Sequence, residues 1–240
     1  MTTVISIHSF RGGTGKSNTS SNIAGQLAAA GNRVAVVDTD IQSPGIHVLF
    51  GFSDDLDNTL NDYLWGKIPI AQAAHEVTDR VSGSTPVAEG GALYLIPSSM
   101  KSGDIARVLR EGYDVGTLND GFRDLARDLQ LDYLLIDTHP GLNEETLLSI
   151  TISDVLLLLM RPDRQDFQGT AVTVDVARKL GVPELFLIIN KVPSNIDSVD
   201  LREQMTQIYG AEVAAILPLA EEVVQNASEG LFSLTSPDHP

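Results

Sequence analysis

The chain contains no cysteine. That absence removes disulfides, thiolate metal sites and cysteine-held iron–sulfur clusters together. No apolar run approaches the ~18 residues that would span a membrane. The start also lacks a basic stretch followed by a signal-like apolar segment, so a cytoplasmic protein is expected. Basic residues are scarce: 16 Lys and Arg stand against 32 Asp and Glu, a formal charge of −16. A broad nucleic-acid footprint would need the opposite balance. Local basic groups do occur, Lys101, Arg107 and Arg110 close together and Arg123 and Arg127 one helical turn apart, and their plainest reading is solvated helix faces. What the chain has in quantity is apolar side chain, 42% of 240 residues, enough for one large core; a single domain over residues 1–240 is expected, with no repeat and no low-complexity segment.

The organising stretch is Phe10-Arg11-Gly12-Gly13-Thr14-Gly15-Lys16-Ser17. It follows a β-branched, alternating run over 4–9 and leads into a helical pattern over 18–30. Strand, glycine loop and helix form a phosphate cradle. The glycines let backbone N–H groups close on an anion, the helix N-terminus adds partial positive charge, Lys16 can reach β and γ phosphates, and the Ser17 hydroxyl can ligate Mg²⁺. The common loop pattern places glycine five residues before Gly15, where this chain has Phe10. A dinucleotide fingerprint is disfavoured, because Asn18 stands where its third glycine belongs.

Further apolar runs end in chemistry. Residues 33–40 read as a buried parallel strand closing on Asp38 and Asp40, two carboxylates suited to the surroundings of Mg²⁺ and to orienting a water. Residues 58–65 and 70–77 read as short helices, which makes His75 a surface helix residue, and 81–91 as a polar connection. A third strand covers 92–97, with helices around 105–110 and 118–129. A fourth, 131–137, closes on Asp137, the Walker B pattern, and is followed by Thr138-His139-Pro140-Gly141. His139 could reach phosphate, pair with an acid or cap the turn. Strands over 155–160, 183–190 and 212–217 complete seven, with a last helix over 221–229 ended by Gly230. Asn190-Lys191-Val192 is followed by Pro193 rather than by the aspartate of a guanine-reading site, which favours adenine. Seven apolar strands alternating with helices give an α/β, doubly wound, mostly parallel sheet with helices on both faces, of the P-loop NTPase type.

Arg11-Gly12-Gly13-Thr14-Gly15-Lys16-Ser17 resembles the deviant Walker A loop of the MinD/ParA family of ATPases, and the resemblance covers nearly the whole chain through Asp38-Thr39-Asp40, Asp137 with Gly141, and Asn190. It implies ATP and ADP as ligands with Mg²⁺. The phosphates would lie on residues 11–18, from Arg11 through Gly12, Gly13, Thr14, Gly15, Lys16 and Ser17 to Asn18, with Gly141 near the γ phosphate and Asn190 and Pro218 at the adenine. Ser17, Asp38 and Asp137 would form the metal network, and Lys16, Asp40 and Asp38 the catalytic set, Asp40 positioning the water. Arg11 stands where the family has a signature lysine that crosses a dimer interface, a departure shared with the carboxysome-positioning McdA branch. Arg161 and Arg164 are further candidates for that trans role, against structural ion pairs as the simpler assignment. The implied partners are a second copy in an ATP-dependent homodimer, an adaptor protein that stimulates hydrolysis, and a surface for positioning a cargo. Nonspecific DNA, with nucleoid association, is one such surface, and no membrane-binding segment is evident. The alternatives are an ATP-dependent small-molecule ligase of the dethiobiotin-synthetase type and a nucleotide-binding scaffold that does not hydrolyse.

Overall fold

The computed structural model describes residues 1–81, 86–226 and 229–239. In chain order β1 (Thr3–His8) leads to α1 (Lys16–Ala29) and β2 (Arg33–Asp38). A 3₁₀ turn (Ile46–Phe50), α2 (Leu60–Leu64), a second 3₁₀ turn (Ile70–Ala73), β3 (His75–Glu76) and α3 (Thr78–Val81) follow. Next come β4 (Ala92–Ile96), α4 (Ser102–Glu111), α5 (Val115–Asp128), β5 (Tyr133–Asp137), α6 (Glu144–Ile152), β6 (Val155–Met160) and α7 (Arg164–Leu180). The chain continues through β7 (Glu184–Val192), α8 (Ser198–Tyr209), β8 (Glu212–Pro218), α9 (Glu221–Gln225) and α10 (Phe232–Thr235). The strands form one sheet in the order β3-β4-β2-β5-β1-β6-β7-β8, parallel throughout except for β3.

Burial on both faces explains why the strands read as unbroken apolar runs. Along β2, Val34 and Val36 join the core under α1, with Ile5, Ile7, Ala24 and Leu135. Ala35 and Val37 point to the opposite face, beneath α5 with Leu118, Phe122 and Leu125. A third core lies under β6 to β8, where Leu158, Leu187 and Ile189 meet Val174, Leu201 and Met205. The helices begin where short polar side chains satisfy the first N–H groups: Asn143 accepts from Thr146, Asp163 from Gln165 and Asp166, and Asp197 from Val199 and Asp200. Gly181 and Gly210 end α7 and α8 in the left-handed region.

Three details depart from the sequence reading. The sheet has eight strands, not seven, because His75–Glu76 forms an antiparallel edge on β4 instead of continuing a helix over 70–77. Burial of Val77 and its N–H on the Leu93 carbonyl at 2.8 Å override the helical pattern, and His75 is a half-buried strand residue with Nε2 3.1 Å from the Asn58 carbonyl. The helix expected over 221–229 ends at Gln225, and residues 227–228 lie outside the described residues, as do 82–85 of the polar connection. Beyond it α10 docks on α1 through Ser233 N to Asn22 Oδ1 at 2.7 Å and Gln26 Nε2 to the Ser233 carbonyl at 3.0 Å. Gly25 makes that approach possible, since a Cβ there would lie 2.6 Å from Leu231 Cδ1.

Candidate functional site

The carboxyl ends of β1, β2, β5 and β7 meet at one edge of the sheet. Gly15 is the N-cap of α1, at φ 98°, and its lack of a side chain leaves the first turn without a side-chain cap. The N–H groups of that turn therefore face outward from a positive helix end with no side-chain acceptor among the described residues. A Cβ on Gly15 would sit 2.5 Å from Asn190 Nδ2, so the glycine answers both conformation and space. The end of β7 fastens the loop: Asn190 Nδ2 donates to the Thr14 carbonyl and Lys191 Nζ to the Gly13 carbonyl, each at 2.8 Å. Phe10, at the position where the common loop has glycine, lays its ring on α7 at Gly169, where a Cβ would lie 2.1 Å from Phe10 Cδ1. Lys16 is only 7% exposed yet makes no ion pair among the described residues. A buried ammonium is costly unless compensated; the charge of Asp137 acts on it from beyond ion-pair distance, and a phosphate would supply further compensation.

Parallel pairing places Asp38 of β2 directly beside Asp137 of β5. Both are buried. Asp38 accepts from Asp40 N at 3.0 Å and Gly45 N at 3.4 Å, and burial, reinforced by the neighbouring charges of Asp137 and Asp40, drives its carboxyl well above the usual carboxylate range. Asp137 accepts from Ser20 Oγ at 2.9 Å. Burial raises its carboxyl to about 6, against the opposing pull of the Ser17 hydroxyl, Lys16 and Ser20. Two buried carboxyls that favour protons, beside the Ser17 hydroxyl, fit a divalent cation held largely through water and phosphate oxygens. No preassembled cluster of three or more His, Cys, Asp or Glu exists among the described residues. Were Mg²⁺ bound here, the Ser17 hydroxyl and the acids Asp38 and Asp137 would be the groups to hold it, with a phosphate completing the set.

Asp40 emerges beyond Asp38 into a partly exposed position, where its Oδ1 accepts from His139 Nδ1 at 2.6 Å and from Ser43 N at 3.2 Å. Of the three roles open to His139, the structure shows pairing with an acid. Gly141 adopts φ 86°, and its N–H donates to the Ser9 carbonyl at 3.1 Å, so that N–H is engaged rather than aimed at a phosphate in this conformation. Asn190 is likewise engaged on both sides, its Oδ1 accepting from Lys191 N at 2.8 Å, which makes it a brace of the phosphate loop before any contact with a purine. Pro218 pairs with Val192 at the end of β8. It lines a mostly apolar cleft of about 730 Å³ together with Gly15, Asn18, Asn190, Lys191 and Leu219, and the cleft runs on along α1 to α10.

Buried His8, at the end of β1, completes the floor. Its Nδ1 lies 2.7 Å from Thr138 Oγ1, and because that hydroxyl donates to the Ile7 carbonyl at 3.0 Å, Nδ1 carries the hydrogen. Nε2 is buried with no partner among the described residues. Burial first, then the charges of Lys16 and His139, hold the ring neutral with a pKa near 3. The three arginines considered for a trans role separate clearly. Arg161 binds Asp166 at 3.0 Å, a carboxylate only 2% exposed, and so secures the start of α7. The Arg11 guanidinium donates to Gln165 Oε1. Arg164 makes no ion pair among the described residues. Sequence reasoning missed Lys191, Ser20 and His8 as site residues. Ser20 carried a signal, since four residues after Lys16 it shares a helix face with it; Lys191 and His8 carried none beyond adjacency to Asn190 and to the loop.

The nucleotide-binding domain family described as CobQ/CobB/MinD/ParA matches residues 5–234, and the chain belongs to it. An uncharacterised ATP-binding protein of Methanocaldococcus jannaschii is 27% identical over 241 residues, covering 100% of this chain and 83% of its own length. An iron–sulfur cluster carrier protein of Pseudomonas fragi is 27% identical over 255 residues, covering 99% and 80%. The septum site-determining protein MinD of Pyrococcus horikoshii, solved with Mg-ADP, superposes with a TM-score of 0.79 at 23% identity, covering 100% of this chain and 90% of that one. The mostly parallel sheet flanked by helices is therefore the MinD P-loop NTPase fold. The MinD/ParA members of the family are ATPases.

Proposed function

We propose that residues 1–240 form a single ATPase domain that binds MgATP on residues 11–18, hydrolyses it slowly and uses ATP-dependent homodimerisation to position a cargo with an adaptor protein. The observation that carries the nucleotide site is the uncapped, positive start of α1 beside a buried Lys16 that makes no ion pair among the described residues. In this reading Lys16 and the N–H groups of residues 13–17 neutralise the β and γ phosphates, Ser17 ligates Mg²⁺, and Asp38 and Asp137 hold its water shell. Mg²⁺ supplies charge neutralisation at the transferring phosphoryl group. Asp40 orients the attacking water, and the loops over 43–45 and 139–141 change order as the γ phosphate comes and goes. Adenine would pack in the apolar cleft against Pro218, with Asn190 at its edge once its bond to Lys191 N opens.

The surface on which positioning occurs finds little support as DNA. Lys101 pairs with Asp57 and Asp55, Arg107 with Glu111, Arg123 with Asp120, and Arg127 with Asp124 and Asp128, so four of the five cations named above are offset by a neighbouring acid, Arg110 alone making no ion pair among the described residues. No helix among the described residues is long and apolar enough to cross a membrane. The test is size-exclusion or sedimentation of wild type and Asp40→Ala with ATP and with ADP. ATP is expected to shift Asp40→Ala to a stable dimer and ADP to leave it monomeric; a variant that binds ATP and stays monomeric overturns the dimer switch. Turnover stimulated by a metabolite instead of a protein partner would move the chain to the ligase class, and ATP binding without turnover to the scaffold class.

A further inference from the structure

We infer that His139 is the positioning residue of Asp40: it holds one oxygen of that carboxylate so that the other is presented to the attacking water. The inference deepens the ATPase reading and rests on it. Register is the origin of the pair. Asp38 and Asp137 are direct partners across β2 and β5, so the residues two positions further along, Asp40 and His139, leave the sheet side by side on separate loops. There His139 Nδ1 stands 2.6 Å from Asp40 Oδ1, and Ser43 N donates to the same oxygen at 3.2 Å. Both donors converge on Oδ1. Oδ2 has no protein donor among the described residues, and the Asp40 side chain is partly open to solvent. A carboxylate gripped through one oxygen keeps a fixed plane, and its second oxygen then points in one direction as an acceptor.

His139 is itself braced, since its carbonyl accepts from Thr146 Oγ1 at 3.4 Å at the start of α6, and Asn143 caps that helix through Thr146 N at 2.8 Å. Asp40 is braced in turn, because its N–H donates to Asp38 Oδ1 at 3.0 Å. The pair therefore ties the loop after β2 to the loop after β5 without any phosphate between them. When the water oxygen bonds to the γ phosphorus and the bridging oxygen leaves with ADP, the water proton is released to the departing phosphate; Asp40 Oδ2 orients that water and His139 orients Asp40.

The test uses the full chain with MgATP. His139→Ala is expected to lower kcat about tenfold with KM for ATP within about twofold, the pattern of an interaction that matters in the transition state. His139→Asn, whose amide can donate from nearly the same place as Nδ1, is expected to recover most of that loss, and thermal melts should show both variants folded. Independently, ring nitrogen NMR should find His139 with its hydrogen on Nδ1 in wild type and shifted toward Nε2 in Asp40→Ala. Undiminished kcat in His139→Ala, no rescue by a folded His139→Asn, or an Nε2–H ring in wild type each overturns the inference while leaving the ATPase reading intact. A wild type that binds ATP and never hydrolyses it overturns the ATPase reading and the role of His139 with it.

Discussion

At the end of the cleft where the phosphates are proposed to lie, polar groups of β1, β2, β5, α1 and the loop after β5 are buried and bonded: His8 to Thr138, Ser20 to Asp137, Asp38 to two backbone N–H groups. At the base end, β8 and the turn after it leave Leu219 and Val224 56% and 70% exposed around an apolar cleft. The first end is built as a mould in which a misplaced charge cannot relax into water. The second is a soft wall whose contribution is contact area. Stabilising transferring charge needs fixed donors and acceptors, whereas holding a flat heterocycle needs surface and a few polar atoms. The difference predicts where substitutions will be unforgiving.

The sharpest break in the contrast would come from affinity. Lys16→Ala is expected to weaken ATP binding by ~100-fold or more, about 3 kcal/mol, measured by calorimetry, and Leu219→Ala only a few-fold; equal losses would erase the distinction between mould and wall. Gly15→Ala adds a Cβ 2.5 Å from Asn190 Nδ2 at φ 98°. It is expected to cost about 2 kcal/mol in denaturant unfolding. The Gly15→Ala, Asn190→Ala double variant should regain part of that cost, because the clash partner is gone while the backbone strain stays. No recovery would mean that Asn190 does not press on the loop as the distances imply.

Arg161→Ala is expected to cost about 2 kcal/mol in stability, since it strands the buried Asp166 carboxylate, and to leave ATP-dependent association unchanged; loss of dimerisation at normal stability would return Arg161 to the trans role. The smallest effect is a slope. The folded chain holds His8 neutral with a pKa near 3 against an ordinary 6.5, so the unfolded chain binds more protons between those values. That contribution to stability is full above pH 6.5 and is lost as pH falls toward 3. Asp137, raised to about 6, acts in the opposite sense, adding stability as pH falls from 6 toward the ordinary 3.8. The two slopes oppose each other in wild type. His8→Gln removes one of them, so its stability relative to wild type should rise by roughly 1 kcal/mol per pH unit between pH 6 and 4. A constant difference across that range would show that His8 does not resist protonation in the fold.

The glycine loop and the strand-end acids were legible in the sequence, because a glycine loop after a β-branched run and acids closing apolar runs are local patterns. The base end was legible only as an expectation for Asn190 and Pro218, and there the structure puts Asn190 first to work as a brace of residues 14–15. The edge strand His75–Glu76 and the short α10 escaped for a common reason: each is held by partners far along the chain, β4 and α1, and carries too few residues to show a period of its own.

The residues themselves determined that this chain makes a mostly parallel α/β sheet, that a glycine loop joins its first strand to its first helix, and that Asp38 and Asp137 end strands, with Asp40 two residues past the end of β2; spacing and hydrophobic period need only neighbours in the chain. Tertiary structure alone decided which of those groups meet. Pairing Asp38 with Asp137 is a choice of strand order and register, and it brings Asp40 and His139 into one hydrogen bond although 99 residues separate them. The same is true of Arg161, whose partner Asp166 became decisive only once it was buried, and of Lys191, whose reach to Gly13 depends on β7 lying beside the loop. Contacts between distant segments are set by packing that no local pattern records.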